Sequence, residues 1–305
     1  MVDDITLWVE SDCAFNAQHK LENVIENVNK ATGEVIVRGT IRNLRVTLKH
    51  NGILIKGSLT KYYHGNNLEN MTRKKVEESI KDLNCNLSVP IDDAIVYRVD
   101  LAYNFHLKNP LDGYLSKLGD LRYFKKSTIA DGQTVMYENS RRALVFYDKK
   151  AEIKKKGGII PVDLKEVYVL RYELRYKNRV KEQFGKVVKA NDLYNEMFYK
   201  KAVSMWASIY HLIYKITDKK VIVITGNSRE LKNHLMFNGL MALGGEENMY
   251  QIIKNNRKMG NIDKHESSRL KKTIKELANT PSLAFTNDGI GELDAKVKRV
   301  ADLCE

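Results

Sequence analysis

Proline is almost missing from this 305-residue chain; four residues are too few for a proline-rich linker to divide it. Cysteine is as scarce. Cys13, Cys85 and Cys304 are scattered and odd in number, which argues against a disulfide framework and against a cysteine zinc cluster. No run of about 18 apolar residues offers a membrane-spanning helix. The acidic start, MVDD, is unlike a signal peptide. No repeat of 20–50 residues and no low-complexity tract is visible. Acidic side chains are in deficit, with 38 Asp+Glu against 51 Lys+Arg and a formal net charge of +13. The expectation is a cytoplasmic protein with a polyanionic partner, drawn in by steering and counterion release. Nucleic acid comes first; an anionic membrane surface is the weaker alternative.

The first 60 residues carry strand-like runs: DITLWVE, EVIVRGTI, LRVTLKH and GILIKGSL, separated by turn residues. Thr72 is placed as the N-cap of a helix with Val76, Ile80 and Leu83 on one face. A strand follows near 94–107, then a short helix at about 111–118. QTVMYEN, ALVFYDK and VYVLRYELRYK are further strands, with the basic KKAEIKKKGG between the last two read as an exposed turn. Residues 192–216 suggest a long helix with Leu193, Met197, Trp206, Ile209 and Ile213 on its apolar side. KVIVIT is a last strand candidate, and a helical tail runs from about 228. Regular βα alternation is absent. The fold class expected is therefore α+β, an antiparallel sheet flanked by helices with a helical C-terminal segment. The division expected is 1–225 and 226–305.

The stretch YRVDLAYNFH, residues 97–106, carries the functional question. Side chains of an extended strand alternate faces. Arg98, Asp100, Asn104 and His106 then share one face, and Tyr97, Val99, Leu101, Tyr103 and Phe105 the other. LRYELRYK repeats the pattern, with Arg171, Glu173, Arg175 and Lys177 opposite Leu170, Tyr172, Leu174 and Tyr176. In ALVFYDKK, Tyr147 and Lys149 oppose Leu144 and Phe146. Each strand alone reads as a solvated sheet face. Paired in one sheet, they would bring Asp100, Glu173 and Tyr147 onto one surface. Two carboxylates with His106 nearby suit Mg²⁺ or Mn²⁺. Arg98 and Arg171 suit phosphate oxygens. Tyr147 is then a nucleophile for phosphorus, with Lys149 lowering its pKa.

The order YRVDLAYNF, TVMYENSRRALVFYDKKAE and VLRYELRYKNRV resembles rolling-circle replication initiators. The likeness is to phage and plasmid replication proteins of the filamentous-phage endonuclease type and to the related Rep_trans initiators. GSLTKYYHGNN, at 57–67, adds to it. The resemblance covers about 50–215. It implies nicking of one strand at an origin, a 5′-phosphotyrosyl intermediate, a free 3′-OH and later rejoining. Asp100 and Glu173 match the family's strand acids, expected near a metal, and Tyr147 its tyrosine. Arg141 and Arg142, in NSRR, fall where the family often has a basic S-R before that strand, suited to phosphate, and His64 is a further candidate. No His-x-His pair is present, unlike many rolling-circle enzymes, so a metal would rest mainly on carboxylates.

Other features stay open. Tyr62 and Tyr63 suit stacking on unpaired bases or strand-end packing. Tyr210 and Tyr214 lie four apart on the long helix, as a second nucleophile pair or as core. SSRLKKTIKEL reads as a basic helix that can lie along phosphates, with Ser267 or Ser268 near its start. Gly244–Gly245 marks a break between helices. Origin DNA is the expected partner, with a host helicase and a dimer as further expectations. The alternatives are a relaxase at a transfer origin, a non-catalytic replication or copy-control DNA binder, and a metal phosphodiesterase that uses water.

Overall fold

The computed structural model describes residues 1–129, 132–216, 228–278 and 288–303. The described residues fall into two compact units, Met1–Ile216 with Gly289–Glu305, and Thr217–Asp288. The expected helical segment at 226–305 is thus split, because its last helix belongs with the sheet. KVIVIT, at 220–225, lies outside the described residues.

The first unit is built on an open, wholly antiparallel sheet of ten strands. In chain order these are β1 (Val2–Glu10), β2 (Glu22–Val28), β3 (Val35–Ile41), β4 (Leu44–Lys49), β5 (Gly52–Ser58), β6 (Ile95–Leu107), β7 (Lys125–Ile129), β8 (Thr134–Glu138), β9 (Arg142–Asp148) and β10 (Tyr168–Tyr176). Their order across the sheet is β2-β3-β4-β5-β1-β6-β10-β9-β8-β7. The three strands singled out by their polar faces are therefore neighbours. Glu173 stands opposite Ala102 of β6 and Val145 of β9, and Arg171 stands opposite Asn104 and Tyr147. β2 escaped the sequence reading because every residue on it is exposed and no alternation marks it.

Six α-helices lie between or after these strands, ahead of residue 216: α1 (Leu59–His64), α2 (Arg73–Leu87), α3 (Asp112–Leu115), α4 (Lys149–Lys155), α5 (Val180–Phe184) and α6 (Glu196–His211). Thr72 caps α2 by accepting from the Lys75 amide, and Val76, Ile80 and Leu83 are buried as the spacing requires. Asn195 caps α6 in the same way, accepting from Phe198. α6 covers the apolar face of the sheet. Its Trp206 ring stacks 4.7 Å from Tyr172, which stacks in turn 4.4 Å from Phe146. Such offset aromatic stacks add to the area they bury. Met197, expected on this apolar side, is 83% exposed, since α6 begins only one residue before it.

The segment KKAEIKK is helix α4 and not an exposed turn. Asp148 is its N-cap, accepting from the amides of Lys150 and Ala151. Lys149 is thereby removed from the strand and buried, paired with Glu152 at 2.7 Å.

The second unit holds α7 (Ser228–Ala242), α8 (Gly245–Lys258) and α9 (Lys264–Ala278). Gly244 and Gly245, at φ +89° and +78°, make the break between the first two. α9 starts earlier than Ser267. Asp263 and Glu266 cap it reciprocally, each carboxylate accepting the other's amide. Ser267 is instead buried within α9, while Arg269, Lys271, Lys272 and Lys275 are exposed. The final helix, α10 (Asp288–Asp302), is tied to the first unit by two phenols. Tyr114 donates to Glu292 and Tyr210 to Asp294. Among the described residues no helix is long and apolar enough to cross a membrane.

Candidate active site

β6, β10 and β9 place their polar side chains on the sheet face opposite α6. The centre of that face is Glu173, only 6% exposed. Its Oε1 accepts from the Tyr147 hydroxyl at 2.8 Å and from Arg171 Nε at 2.7 Å. Its Oε2 accepts from Arg175 Nε at 2.9 Å and Nη2 at 2.7 Å. On β6, Arg98 grips both oxygens of Asp100, at 3.0 and 2.6 Å. Arg175 lies 3.9 Å from Asp100 and so links the two carboxylates. The surface expected from alternation therefore exists, with the tyrosine and both acids on one side.

Arg171 has a different role from the one expected. It is 2% exposed and makes four hydrogen bonds, to Glu173, Asn104, the Asn67 carbonyl and Asp3. Little of its donor set is left for a phosphate. Arg98 and Arg175 are partly exposed and are the guanidinium groups that face solvent.

Two acids that the sequence reading passed over, Asp3 and Asp4, enter from the start of β1. Asp3 accepts from Ser58 as well as Arg171. The register slips between Val2 and Ile5, an irregularity that sets both acids at the polar side. The signal was their position, a pair of carboxylates opening an apolar strand. The loop after α1 also reaches the site. Gly65 closes α1 at φ +75°, a conformation open to glycine without strain. The chain then passes Asn67 and Leu68 over Asn104, whose amide donates to both carbonyls at 3.0 and 2.7 Å.

Electrostatics separate the two strand acids. Burial would raise Glu173, but Arg171 and Arg175 outweigh it and hold it at about 2. Burial dominates at Asp100 and raises it to about 6 despite Arg98. Asp4 is raised as well, by burial and by Asp3. Tyr147 is raised far above its ordinary value by burial and by the Glu173 charge, with Arg171 pulling the other way. Lys149 does not lower it. That ammonium sits 5.9 Å from the Tyr147 ring, spent on Glu152, and is itself lowered by burial and by Arg171.

Asp100, Glu173 and His106 do not fit a divalent cation in this arrangement. Every carboxylate oxygen of Asp100 and Glu173 already accepts from a guanidinium or a phenol, and three arginines ring the site. His106 is exposed, six residues along β6 from Asp100, roughly 20 Å at strand rise. Among the described residues no group of three His, Cys, Asp or Glu side chains is placed to hold a metal ion.

The remaining candidates lie apart from this cluster. Tyr62 donates to Asp82 and Tyr63 to Glu78, both on α2. They sit on α1, beside the turn at Gly65. His64 pairs with Glu69 at 3.2 Å, and burial lowers its pKa. Arg142 lies over the Tyr176 ring, on the α6 side of the sheet, and Arg141 sits 3.7 Å from Glu182. Lys177 lies at the end of β10 on the polar side, paired with Glu138 at 2.6 Å. Tyr210 is buried in the aromatic stack on the far face, and its bond to Asp294 is a packing role. Tyr214 packs beside Gly119.

A search of the curated proteins gives no match. The family model that describes the N-terminal part of a phage replication-associated protein matches residues 8–203, taking in β6, β9 and β10 entire. With that span covering more than half of the chain, this protein belongs to the phage replication-associated family, in keeping with a rolling-circle replication initiator.

Proposed function

We propose that the protein nicks one strand of origin DNA and rejoins it through Tyr147. The Tyr147 oxygen attacks phosphorus, and the bond from phosphorus to the 3′ oxygen of the preceding nucleotide breaks. The phenolic proton passes to solvent or to the departing oxygen, leaving a 3′-OH and a 5′-phosphotyrosyl link. Attack by a 3′-OH reverses the step and reseals the strand. Arg98 and Arg175 stabilise charge on the phosphoryl oxygens. Arg171 is a positioning residue that fixes Glu173, and Glu173 orients the phenol. Glu173 is too acidic to serve as an effective base at neutral pH. All of these groups come from one chain, so the scheme draws no residue from a second copy.

The observation that carries the reading is the Tyr147 hydroxyl, 2.8 Å from Glu173, on the same partly open face as two arginines. The test is incubation with supercoiled DNA of the encoding element, with and without Mg²⁺ or Mn²⁺, followed by a denaturing protein gel. A protein–DNA adduct lost in Tyr147→Phe supports it. Cleavage with no adduct overturns the tyrosine route in favour of water. One observation favours a second reading, a non-catalytic origin binder: the ion pairs of Asp100 and Glu173 are complete without any ligand. That reading predicts origin binding and no nick under any metal.

A further inference from the structure

Tyr97 does not lie where strand alternation puts it. Thr6 of β1 pairs with Arg98, but Leu7 pairs with Val96, so the ladder skips Tyr97. This extra residue is a β-bulge, which re-aims a side chain. Val96 faces the core with Leu7. Tyr97 turns instead to the polar side, is 54% exposed, and makes no side-chain hydrogen bond or ring contact among the described residues. It stands on the wall of an open cleft of about 440 Å³ with Arg45, Lys56, Arg98, Lys177 and Asp4.

The cations of this cleft form a row. Arg45 pairs in register with Lys56, Lys56 with Thr6, and Thr6 with Arg98. Lys177 follows one residue past the Tyr176–Val99 pair, on the next strand. At the spacing of neighbouring strands the row runs about 19 Å across the sheet. Arg98 and Lys177 have carboxylate partners, whereas Arg45 and Lys56 have none among the described residues. Asp4 is the single acid on the wall, two residues off the row. The row passes through Arg98, which also grips Asp100, so the cleft is continuous with the proposed active site.

We propose that this cleft holds the single-stranded DNA flanking the scissile phosphate, with the row of cations following the backbone and the Tyr97 ring stacking on an unpaired base. The inference rests on the DNA-nicking reading of the adjoining site and adds its binding track. The strand is single because a free phenol face meets a base only where the base is unstacked, and such stacking is tolerant of sequence. The bulge gives the sheet its reason for an exposed aromatic ring there.

The test uses the full chain carrying Tyr147→Phe, so that binding is read without nicking, and a fluorescein-labelled oligothymidine of 15 nucleotides. Tyr97→Ala is expected to weaken binding about 10-fold, within the range for one stacked base, and Tyr97→Trp to restore it. Arg45→Ala with Lys56→Ala should flatten the salt dependence by about 1.4 in slope, the share of two phosphate contacts on a single strand. Equal binding by the parent and Tyr97→Ala overturns the proposal. So does a 15-base-pair duplex that binds more tightly than the single strand. A bromouracil-substituted oligonucleotide supplies a check without substitution at Tyr97: crosslinking within the peptide that contains Tyr97 supports the track, and crosslinking only elsewhere overturns it. An adduct at Tyr147 on supercoiled DNA, with no effect of Tyr97→Ala on oligonucleotide binding, leaves the nicking reading intact and removes this one.

Discussion

The two faces of the same three strands are built from opposite chemistry, and both are buried. On the α6 side, Tyr172, Phe146 and Trp206 stack in a dry aromatic layer. On the other side, two residues away or fewer, Arg171, Glu173, Asp100 and Asn104 are buried nearly as fully. Apolar burial is non-directional and tolerates repacking. Buried charge is tolerated only where each group keeps its partner. The first face holds the sheet together by area; the second holds four side chains in one geometry by mutual dependence. A sheet that needed only stability would not place an arginine and two carboxylates under cover, which is why the second face is the one to search for chemistry.

The sharpest way to break this contrast is to remove one charge. Glu173→Gln leaves Arg175 without its main counter-charge and Arg171 with Asp3 alone. Stability is expected to fall by about 3–5 kcal/mol, read from urea unfolding. The pH dependence sharpens the same point. Glu173 is held at about 2, below its ordinary value, so its stabilisation is present above roughly pH 4.5 and is lost as pH falls toward 2. Asp100 is raised to about 6, so the folded state keeps its proton where the unfolded chain has lost it. Stability therefore declines as pH rises from about 4 to 6, by up to about 3 kcal/mol. The two opposed signs cross where one limb ends and the other begins, which gives a maximum at roughly pH 4. Thermal unfolding across pH 2–8 checks this. Asp100→Asn should lessen the decline above pH 4, leaving the share of Asp4, and Glu173→Gln should lessen the loss in acid.

The aromatic face should respond differently. Trp206→Leu removes the ring that packs on Tyr172 and Phe105, and is expected to cost about 2–3 kcal/mol with no change in the pH profile. A Trp206 variant that altered the acid limb would show that the faces are coupled, against the separation argued here.

How much of this was legible follows from the physics of each element. The apolar faces of β6, β9 and β10 were readable because burial imposes a period of two, and Leu170, Tyr172, Leu174 and Tyr176 are all fully buried. The same alternation put Asp100, Glu173 and Tyr147 on a common side, although only the resemblance made the strands adjacent. Tyr97 was misread because a bulge inserts one residue and inverts the period beyond it, and no residue type announces one. Lys149 was misread because ALVFYDKK alternates smoothly into a helix, although Asp148 followed by Lys-Lys-Ala-Glu is a capping signal. Arg171 looked like a phosphate ligand because its partner Asp3, 168 residues earlier, has no local signature.

The smallest effect tests how the charged face is closed at its edge. Strand β1 pairs with β6 only as far as Leu101, so the backbone of β6 beyond that point has no strand on that side. Asn70 fills the gap. Its side chain accepts from the Asn104 amide at 2.8 Å and donates to the Asn104 carbonyl at 3.2 Å, the two bonds a strand residue would make. Asn104 in turn accepts from Arg171 at 3.0 Å, so this amide stands two bonds from Glu173. Asn70→Ala is expected to cost about 1–2 kcal/mol, the penalty for buried backbone groups left unpaired. Hydrogen exchange resolves the consequence: the Asn104 amide should lose protection in the variant, while the amides of β10 keep theirs. Unchanged protection at Asn104 would mean that the ladder mimicry carries no weight and that Arg171 alone holds this end of the face.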